Sequence, residues 1–113
     1  MNLTPEKIGE VTIVVLPGEQ LDASNAKEFK RDMAPLLEPC RRVIFDLAEL
    51  RFVDSSGLGA ILSSLRQLNA NGGDLKLCGM SKPVRALFEL VRMHKIFEIH
   101  ETRDDAIRAF QAK

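Results

Sequence analysis

The stretch Asp54-Ser55-Ser56-Gly57-Leu58-Gly59 lies where an apolar strand pattern gives way to an amphipathic helix pattern. Before it come two apolar segments, residues 43–47 and 50–53. After it, large aliphatic side chains recur at helical spacing and mark one apolar face: Leu58, Ile61, Leu62, Leu65 and Leu68. The pattern therefore predicts two adjacent serine hydroxyls at the start of a helix, in an exposed junction.

The size and charge of the chain restrict the classes of function. Its 113 residues are enough for one domain with a real core, so residues 1–113 are predicted to form a single domain. Sixteen basic residues balance sixteen acidic ones, which argues against nucleic acid as a partner because phosphate binding normally needs a basic face. The chain has no Trp or Tyr, which makes a base-stacking surface improbable.

Cysteine usage and the apolar segments indicate the compartment. Cys40 and Cys78 are far apart and lack metal-ligand spacing, so we expect two reduced thiols, with Cys78 in the core. The first residues show no basic region followed by an apolar stretch, and no segment approaches the length of a membrane span. The protein is expected to be cytoplasmic, without a membrane partner.

The order of predicted elements gives the architecture. Strands are expected at residues 3–8 (a short edge strand), 11–16, 43–47, 75–79 and 96–99. A first helix is expected from Ala26 to about Pro39, with Asp22 or Ser24 as its N-cap, and a second over residues 56–69. A third helix is expected to begin at a Ser81 cap and to have Val91 on its inner face, and a fourth is expected to begin at Thr102. Residues 91–93 and 96–97 are predicted to belong to the core, and Met93 and Phe97 would extend a partner surface if they were partly exposed. This alternation predicts an α/β fold, with a mixed, mostly parallel sheet covered by about four helices.

The junction at residues 54–59 has two physical interpretations. In parallel sheets, partners meet the carboxyl ends of the strands, where this junction and Asp22 are both expected. Gly57 and Gly59 weaken the first helical turn, which suggests that a strand or another protein approaches the backbone closely. Asp54 or Ser55 could simply cap the helix, or Ser56 could be a phosphorylation site. The residue types alone leave both open, as they do whether Leu58 faces the core or a partner.

The segment Val53–Gly59 resembles the signature of bacterial anti-sigma factor antagonists, the STAS domain (sulfate transporters and anti-sigma factor antagonists). The resemblance covers nearly the whole chain, since length, element order, the turn before Asp22 and the end of the strand at residues 77–79 also fit. One departure is the extra residue in the turn at residues 18–22, which changes the placement of Asp22 relative to the common pattern.

The resemblance implies a partner-switching function. Ser56 is then the residue phosphorylated by an anti-sigma factor that is also an ATP-dependent serine kinase, and the unphosphorylated form binds that kinase and frees the sigma factor. A PP2C-type phosphatase regenerates it. The resemblance also implies a partner-binding surface, made of Asp22, Asp54, Ser55, Ser56, Gly57, Leu58 and Gly59. The chain itself needs no cofactor or metal, is not an enzyme, and is expected to be a monomer when free.

Alternative functions follow from the same fold. A STAS subunit of a transport or lipid-trafficking complex would bind its partner without switching, and a partner switch could also control an output other than a sigma factor. His94 and His100 are six residues apart without a third metal ligand, so surface or strand-end histidines are favoured. Neither a Gly-x-Ser-x-Gly elbow nor a phosphate-binding Gly-x4-Gly-Lys loop is present. Arg41 and Arg42 are interpreted as solvated charges at the start of a strand, with contact to an acidic partner as the alternative.

Overall fold

The computed structural model describes residues 1–111 and contains seven strands, four α-helices and one 3₁₀ helix. The strands are β1 (Pro5–Ile8), β2 (Val11–Val15), β3 (Gln20–Leu21), β4 (Arg42–Asp46), β5 (Phe52–Val53), β6 (Asp74–Cys78) and β7 (Glu98–His100). The helices are α1 (Ala26–Leu37), α2 (Ser55–Ala70), α3 (Lys82–Leu90) and α4 (Arg103–Gln111), and the 3₁₀ helix is Met93–Lys95.

Five strands form the main sheet, in the order β1-β2-β4-β6-β7. The edge strand β1 pairs with β2 in an antiparallel hairpin, as predicted, and Gly9 supplies the positive φ that the tight turn needs. The other neighbours are parallel, because α1, α2 and α3 carry the chain back between successive strands. The prediction of a mixed, mostly parallel sheet with four helices is confirmed.

The two faces of the main sheet have separate cores. On one face, α1, α2 and α3 cover the larger core, in which the rings of Phe29 and Phe45 meet edge to face with centroids 6.1 Å apart. On the other face, α4 places Ala106 and Phe110 over a smaller cluster that includes Cys78. The predicted core position of Cys78 is confirmed.

A second sheet, which the sequence patterns did not predict, consists of the two-residue strands β3 and β5. The two strands are parallel, and Leu21 lies opposite Val53. Their pairing is extended by the carbonyl oxygen of Glu19, which accepts hydrogen bonds from the amides of Arg51 and Phe52. The strand immediately before the 54–59 junction is therefore not part of the main sheet, and it joins that junction to the loop after β2.

The segment between α3 and β7 differs from the prediction. Helix α3 has its predicted Ser81 cap, but it ends at Leu90 because Arg92 adopts a left-handed conformation with φ of 63°. Val91 and Ile96, predicted to be core, are 48% and 52% exposed, and only Phe97 of that apolar group is buried. The last strand begins at Glu98 rather than at Ile96, because the amides of Ile96 and Phe97 both donate to the carbonyl oxygen of Met93 in the 3₁₀ helix.

The ammonium group of Lys76 is buried between the main sheet and α4. Its side chain is 8% exposed, and Nζ donates to Oε1 of Glu98 at 2.8 Å on the neighbouring strand. Nζ also lies 4.5 Å from the centroid of the Phe110 ring, a cation–π contact. Lys76 first, and His100 after it, hold the pKa of the Glu98 carboxyl below its ordinary value. This ion pair fixes β7 to β6.

Within residues 1–111, no helix has the length and apolar character needed to cross a bilayer.

Candidate functional site at the start of helix α2

Helix α2 begins with a side-chain cap from Asp54. This residue has an extended backbone, and its Oδ1 accepts a hydrogen bond from the amide of Gly57 at 2.9 Å. The first amides of a helix have no partner inside the helix, so a carboxylate at this position supplies one. The prediction that Asp54 or Ser55 caps the helix is confirmed, with Asp54 as the cap.

The second carboxylate oxygen of Asp54 connects the junction to the turn that carries Asp22. Oδ2 accepts from the amide of Ala23 at 3.1 Å, so one side chain binds two loops that are 31 residues apart in sequence. The carboxylate of Asp22 has a local role, because its Oδ1 accepts from the amide and the hydroxyl of Ser24 at 2.9 and 2.6 Å. Despite the extra residue in the turn, Asp22 is brought to the same edge as Asp54.

The predicted N-cap of α1 was wrong. The helix begins at Ala26, its N-cap is Asn25, and no side chain caps it. Asp22 and Ser24 are instead used within the turn, where the carbonyl oxygen of Asp22 accepts from the amides of Asn25 and Ala26. The side chain of Asn25 accepts from the amide of Asp22, so the turn is closed on itself. The turn therefore presents a fixed conformation beside the start of α2.

The two glycines of the junction have different roles. A methyl group added to Gly57 would overlap the carbonyl oxygen of Leu21 and touch Val53, so this glycine is required by the close packing of α2 on the β3–β5 sheet. A methyl group added to Gly59 would meet nothing within 4 Å. The predicted close approach is confirmed for Gly57. Nothing in the described chain approaches Gly59, which is exposed, so approach by another protein stays a prediction there.

The hydroxyl-bearing residues lie on the outside of this edge. Ser55 and Ser56 are exposed in the first turn of α2, while Gly57 is buried and Leu58 is 7% exposed and belongs to the main core. Leu58 thus faces the core, one of the two orientations left open by the sequence. Of the residues predicted to bind a partner, those that the described structure leaves at least partly accessible are Asp22, Asp54, Ser55, Ser56 and Gly59.

The other candidate residues lie elsewhere. Nε2 of His100 lies 2.6 Å from Oε2 of Glu98 at the end of β7. Nδ1 of His94 is buried and has no hydrogen-bond partner among residues 1–111. Cys40 and Cys78 are free thiols, and burial raises the pKa of Cys78 to about 12. Among residues 1–111, no three His, Cys, Asp or Glu side chains are grouped as metal ligands.

One ion pair near this edge was missed by the sequence reasoning. Nη2 of Arg103, at the start of α4, donates to Oδ2 of Asp46 at 2.9 Å, and Nη1 reaches Glu6 at 3.2 Å. The Asp46 carboxylate raises the pKa of Arg103, and its other oxygen accepts from the amide of Ala48. The pair fixes the start of the loop that leads to β5. The partners are 57 residues apart, and no local pattern connects them.

Comparison with known proteins identifies the family. The sequence profile of the STAS domain matches residues 2–106. An anti-sigma F factor antagonist of Paenibacillus polymyxa is 34% identical over 99 residues, which cover 86% of this chain and 84% of that protein. The structure is a small α/β domain with a capped serine junction, and the chain belongs to the STAS domain family.

Solved structures show the same fold. A crystal structure of an anti-sigma factor antagonist from Mycobacterium paratuberculosis superimposes with a TM-score of 0.85 at 20% identity, covering 98% of this chain and 94% of that one. SpoIIAA, an anti-sigma factor antagonist of Bacillus, is similar in its unphosphorylated form with a TM-score of 0.71 at 22% identity, covering 99% and 100% of the two chains. SpoIIAA has also been solved in its phosphorylated form, with a TM-score of 0.69.

Proposed function

We propose that this chain is a phosphorylation-controlled anti-sigma factor antagonist and that Ser56 is the phosphorylated residue. In its unphosphorylated form it binds an anti-sigma factor that is also a serine kinase, and this binding releases the sigma factor. Phosphorylation of Ser56 blocks binding, and a PP2C-type phosphatase reverses it. Residues 1–113 act as one cytoplasmic domain that is a substrate of the kinase and performs no catalysis itself.

The exposure of Ser56 on a fixed helix start is the observation that carries this proposal. A kinase must bring the Ser56 hydroxyl to the γ-phosphate of ATP, so the hydroxyl must be accessible and its backbone well positioned. Asp54 holds the first turn through Gly57 and the neighbouring turn through Ala23. Gly59, one turn further along the same helix, leaves open space beside the serine.

The switch follows from charge rather than from a change of fold. A phosphoryl group adds roughly −1.5 to −2 charges at pH 7. The Asp54 carboxylate lies two residues away and the Asp22 turn is beside it, so the phosphate enlarges an acidic surface. A dianion enclosed in an interface without a matching cation costs far more than a contact made in water. Binding is therefore lost while Asp54 keeps the helix start intact.

Intact-mass spectrometry of the protein purified from its own cells tests the assignment, with fragment mapping of any phosphoryl group. We expect one phosphoryl group on Ser56, absent from Ser56→Ala and retained in Ser55→Ala, which removes the neighbouring exposed hydroxyl. Unmodified protein under growth and stress conditions alike would contradict the proposal. That result would favour the non-switching STAS subunit of a transport or lipid-trafficking complex.

The process that the switch controls is tested separately from the phosphorylation of Ser56. If Ser56 is phosphorylated and the bound kinase releases a sigma factor in a transcription assay, the antagonist role stands. If binding occurs without any sigma factor in the complex, the switch controls another process.

A further inference from the structure

The second sheet exposes one phenylalanine close to the proposed Ser56 site. The chain contains six phenylalanines, and five of them are buried with at most 9% of the residue exposed, whereas Phe52 in β5 is 49% exposed. A single exposed apolar side chain is ordinary on a protein surface, so exposure alone assigns no role to it. What distinguishes Phe52 is its position relative to Ser56.

The register of the second sheet places Phe52 on its outward face. Phe52 lies opposite Gln20, which is also exposed. The next pair, Leu21 and Val53, is buried. Because side chains alternate between the two faces of a strand and Asp54 has an extended backbone, Phe52 and Asp54 lie on the same side of the chain. We call Gln20, Phe52 and Asp54 the β3–β5 face.

The backbone of the β3–β5 face is fixed by hydrogen bonds. The amide of Phe52 donates to the carbonyl oxygen of Glu19 at 3.0 Å, and the side chain of Asn25 donates to the carbonyl oxygen of Gln20 at 3.0 Å. A phenylalanine on a fixed strand has two side-chain torsions to restrict, so it loses little conformational entropy when a partner covers it.

The distance between Phe52 and Ser56 is short compared with an ordinary protein interface. The two residues are four positions apart, and four residues of even a fully extended chain span at most about 14 Å. A standard interface buries about 800 Å² on each partner, which corresponds to a disc of about 16 Å radius. The proposed switch needs Ser56 well inside the interface, because a charge at a solvated rim changes affinity little. A partner centred on Ser56 therefore also covers Phe52.

The other residues around Ser56 provide little apolar surface for a partner. The accessible residues of the proposed binding surface are small or polar, and Leu58 belongs to the core. The centre of a stable interface is depleted of charged residues and enriched in aromatic ones, and a few of its residues carry most of the binding free energy. Phe52 is the exposed aromatic residue of the described chain, and it lies beside the site.

We propose that Phe52 is the apolar anchor of the interface with the serine kinase that acts on Ser56. The kinase surface that it contacts is an apolar pocket that takes the phenylalanine ring, bordered by polar groups that face Gln20 and Asp54. This inference rests on the proposed function, and it adds a contact outside the segment Val53–Gly59. Because the ring holds the substrate without touching the transferred phosphoryl group, loss of this contact raises KM and leaves kcat unchanged.

The binding test compares Phe52→Gln with Ile8→Gln, and the probe is the purified serine kinase that phosphorylates the wild-type chain. Ile8 is 37% exposed and pairs with Val11 at the amino-terminal end of β2, whereas the second sheet follows the carboxyl end of β2. We expect Phe52→Gln to bind the kinase at least about tenfold more weakly, with KM raised to the same extent and kcat unchanged. We expect Ile8→Gln to behave as the wild type.

The conservative variant Phe52→Leu keeps an apolar side chain, so it should lose less affinity than Phe52→Gln. Thermal unfolding checks that each variant is folded, as expected for substitutions of exposed side chains.

A second measurement follows the ring itself in the chain without substitutions. Incorporation of para-fluorophenylalanine gives one fluorine NMR signal for each of the six rings, and Phe52→Leu identifies the signal of Phe52 by its loss. We expect this signal to shift when the unphosphorylated protein binds the kinase. The signals of the five buried rings should keep their positions, because the kinase does not contact them.

Each outcome decides between the two proposals. Equal affinity of Phe52→Gln and wild type overturns the anchor and leaves the Ser56 switch standing. A loss of affinity with an unshifted fluorine signal of Phe52 also overturns the anchor, because the substitution then acts indirectly. If Phe52→Gln loses affinity and the signal shifts, although the phosphoryl group proves to be on another residue, the anchor stands and the Ser56 assignment fails.

Sedimentation velocity without the kinase tests the other occupant of this face. Self-association of wild type that Phe52→Gln loses, with kinase binding unchanged, would assign the β3–β5 face to a second copy of the chain and overturn the proposal.

Discussion

At the start of α2, Asp54 binds two backbone amides and Gly57 packs directly on the neighbouring loop, whereas the turn after α3 has exposed aliphatic side chains and a left-handed arginine. The first region keeps its shape through internal contacts and exposes mainly hydroxyl groups. The second exposes Leu90, Val91 and Ile96 to solvent. A helix start that exchanges contacts with a distant turn is thus fixed in shape, whereas the turn after α3 depends on one left-handed residue.

The largest expected effect on stability comes from disturbing the packing at the start of α2. Gly57→Ala places a methyl group on the carbonyl oxygen of Leu21, a backbone atom that cannot move away cheaply. We expect the free energy of unfolding to fall by about 3 kcal/mol, measured by urea denaturation. Gly59→Ala is the control in the same helix, and it should raise stability by about 0.5–1 kcal/mol because nothing lies within 4 Å. Equal effects of the two substitutions would contradict the packing argument.

The next effect tests the double role of the Asp54 carboxylate. Asp54→Ala removes the cap on Gly57 and the bond to Ala23, so we expect a loss of about 2 kcal/mol in unfolding free energy. Asp54→Asn keeps one acceptor oxygen and should lose less. Hydrogen exchange of the Gly57 and Ala23 amides measures the two contacts separately. Protection that is unchanged in Asp54→Ala would show that neither contact matters.

A smaller effect concerns the ion pair just after the α3 turn. Glu98→Gln leaves the buried Lys76 ammonium without its 2.8 Å partner, and we expect a loss of about 1 kcal/mol because the carboxylate is half exposed. The pKa of Glu98 is lowered from its ordinary value of 4.5, so its contribution is present above that pH and disappears as pH falls through the lowered value. In denaturation experiments the difference between variant and wild type should be full at pH 7 and should shrink progressively as the pH falls below 4.5.

The smallest expected effect on stability concerns the left-handed turn after α3. Arg92→Gly relieves the left-handed strain of the turn, and we expect the unfolding free energy to rise by about 0.5 kcal/mol or less, since glycine also gains freedom in the unfolded chain. The thermal midpoint should increase slightly, while Arg92→Ala, which keeps the strain, should not raise it. A fall in stability with glycine would show that the arginine side chain holds the turn.

Much of this fold could be predicted because its signals are local. The apolar face of α2, the Ser81 cap and the Thr102 cap depend on residues a few positions apart, and the structure contains all three. The same holds for the capped start of α2, where Asp54 contacts an amide three residues away. The alternation of strands and helices then restricts the sheet to a mostly parallel arrangement.

The remaining features depend on contacts between distant residues. Strands β3 and β5 have two residues each, too few for a periodic pattern, and they are stabilised by pairing across more than thirty residues. Nothing local distinguishes Asp22 as a turn residue from Asp22 as a helix cap. Val91 and Ile96 match the apolar spacing of a core segment, but the left-handed turn at Arg92 places them in solvent. The sequence gives no sign of this turn, because no glycine stands at that position.

The most direct test of the charge switch is the affinity of the kinase for this protein with and without a phosphoryl group on Ser56. Isothermal titration of both forms, at the same salt concentration, gives the two dissociation constants. We expect the phosphorylated form to bind at least about tenfold more weakly, a difference of more than about 1.4 kcal/mol. Equal dissociation constants would contradict it, because the phosphate would then lie outside the interface or meet a matching cation within it.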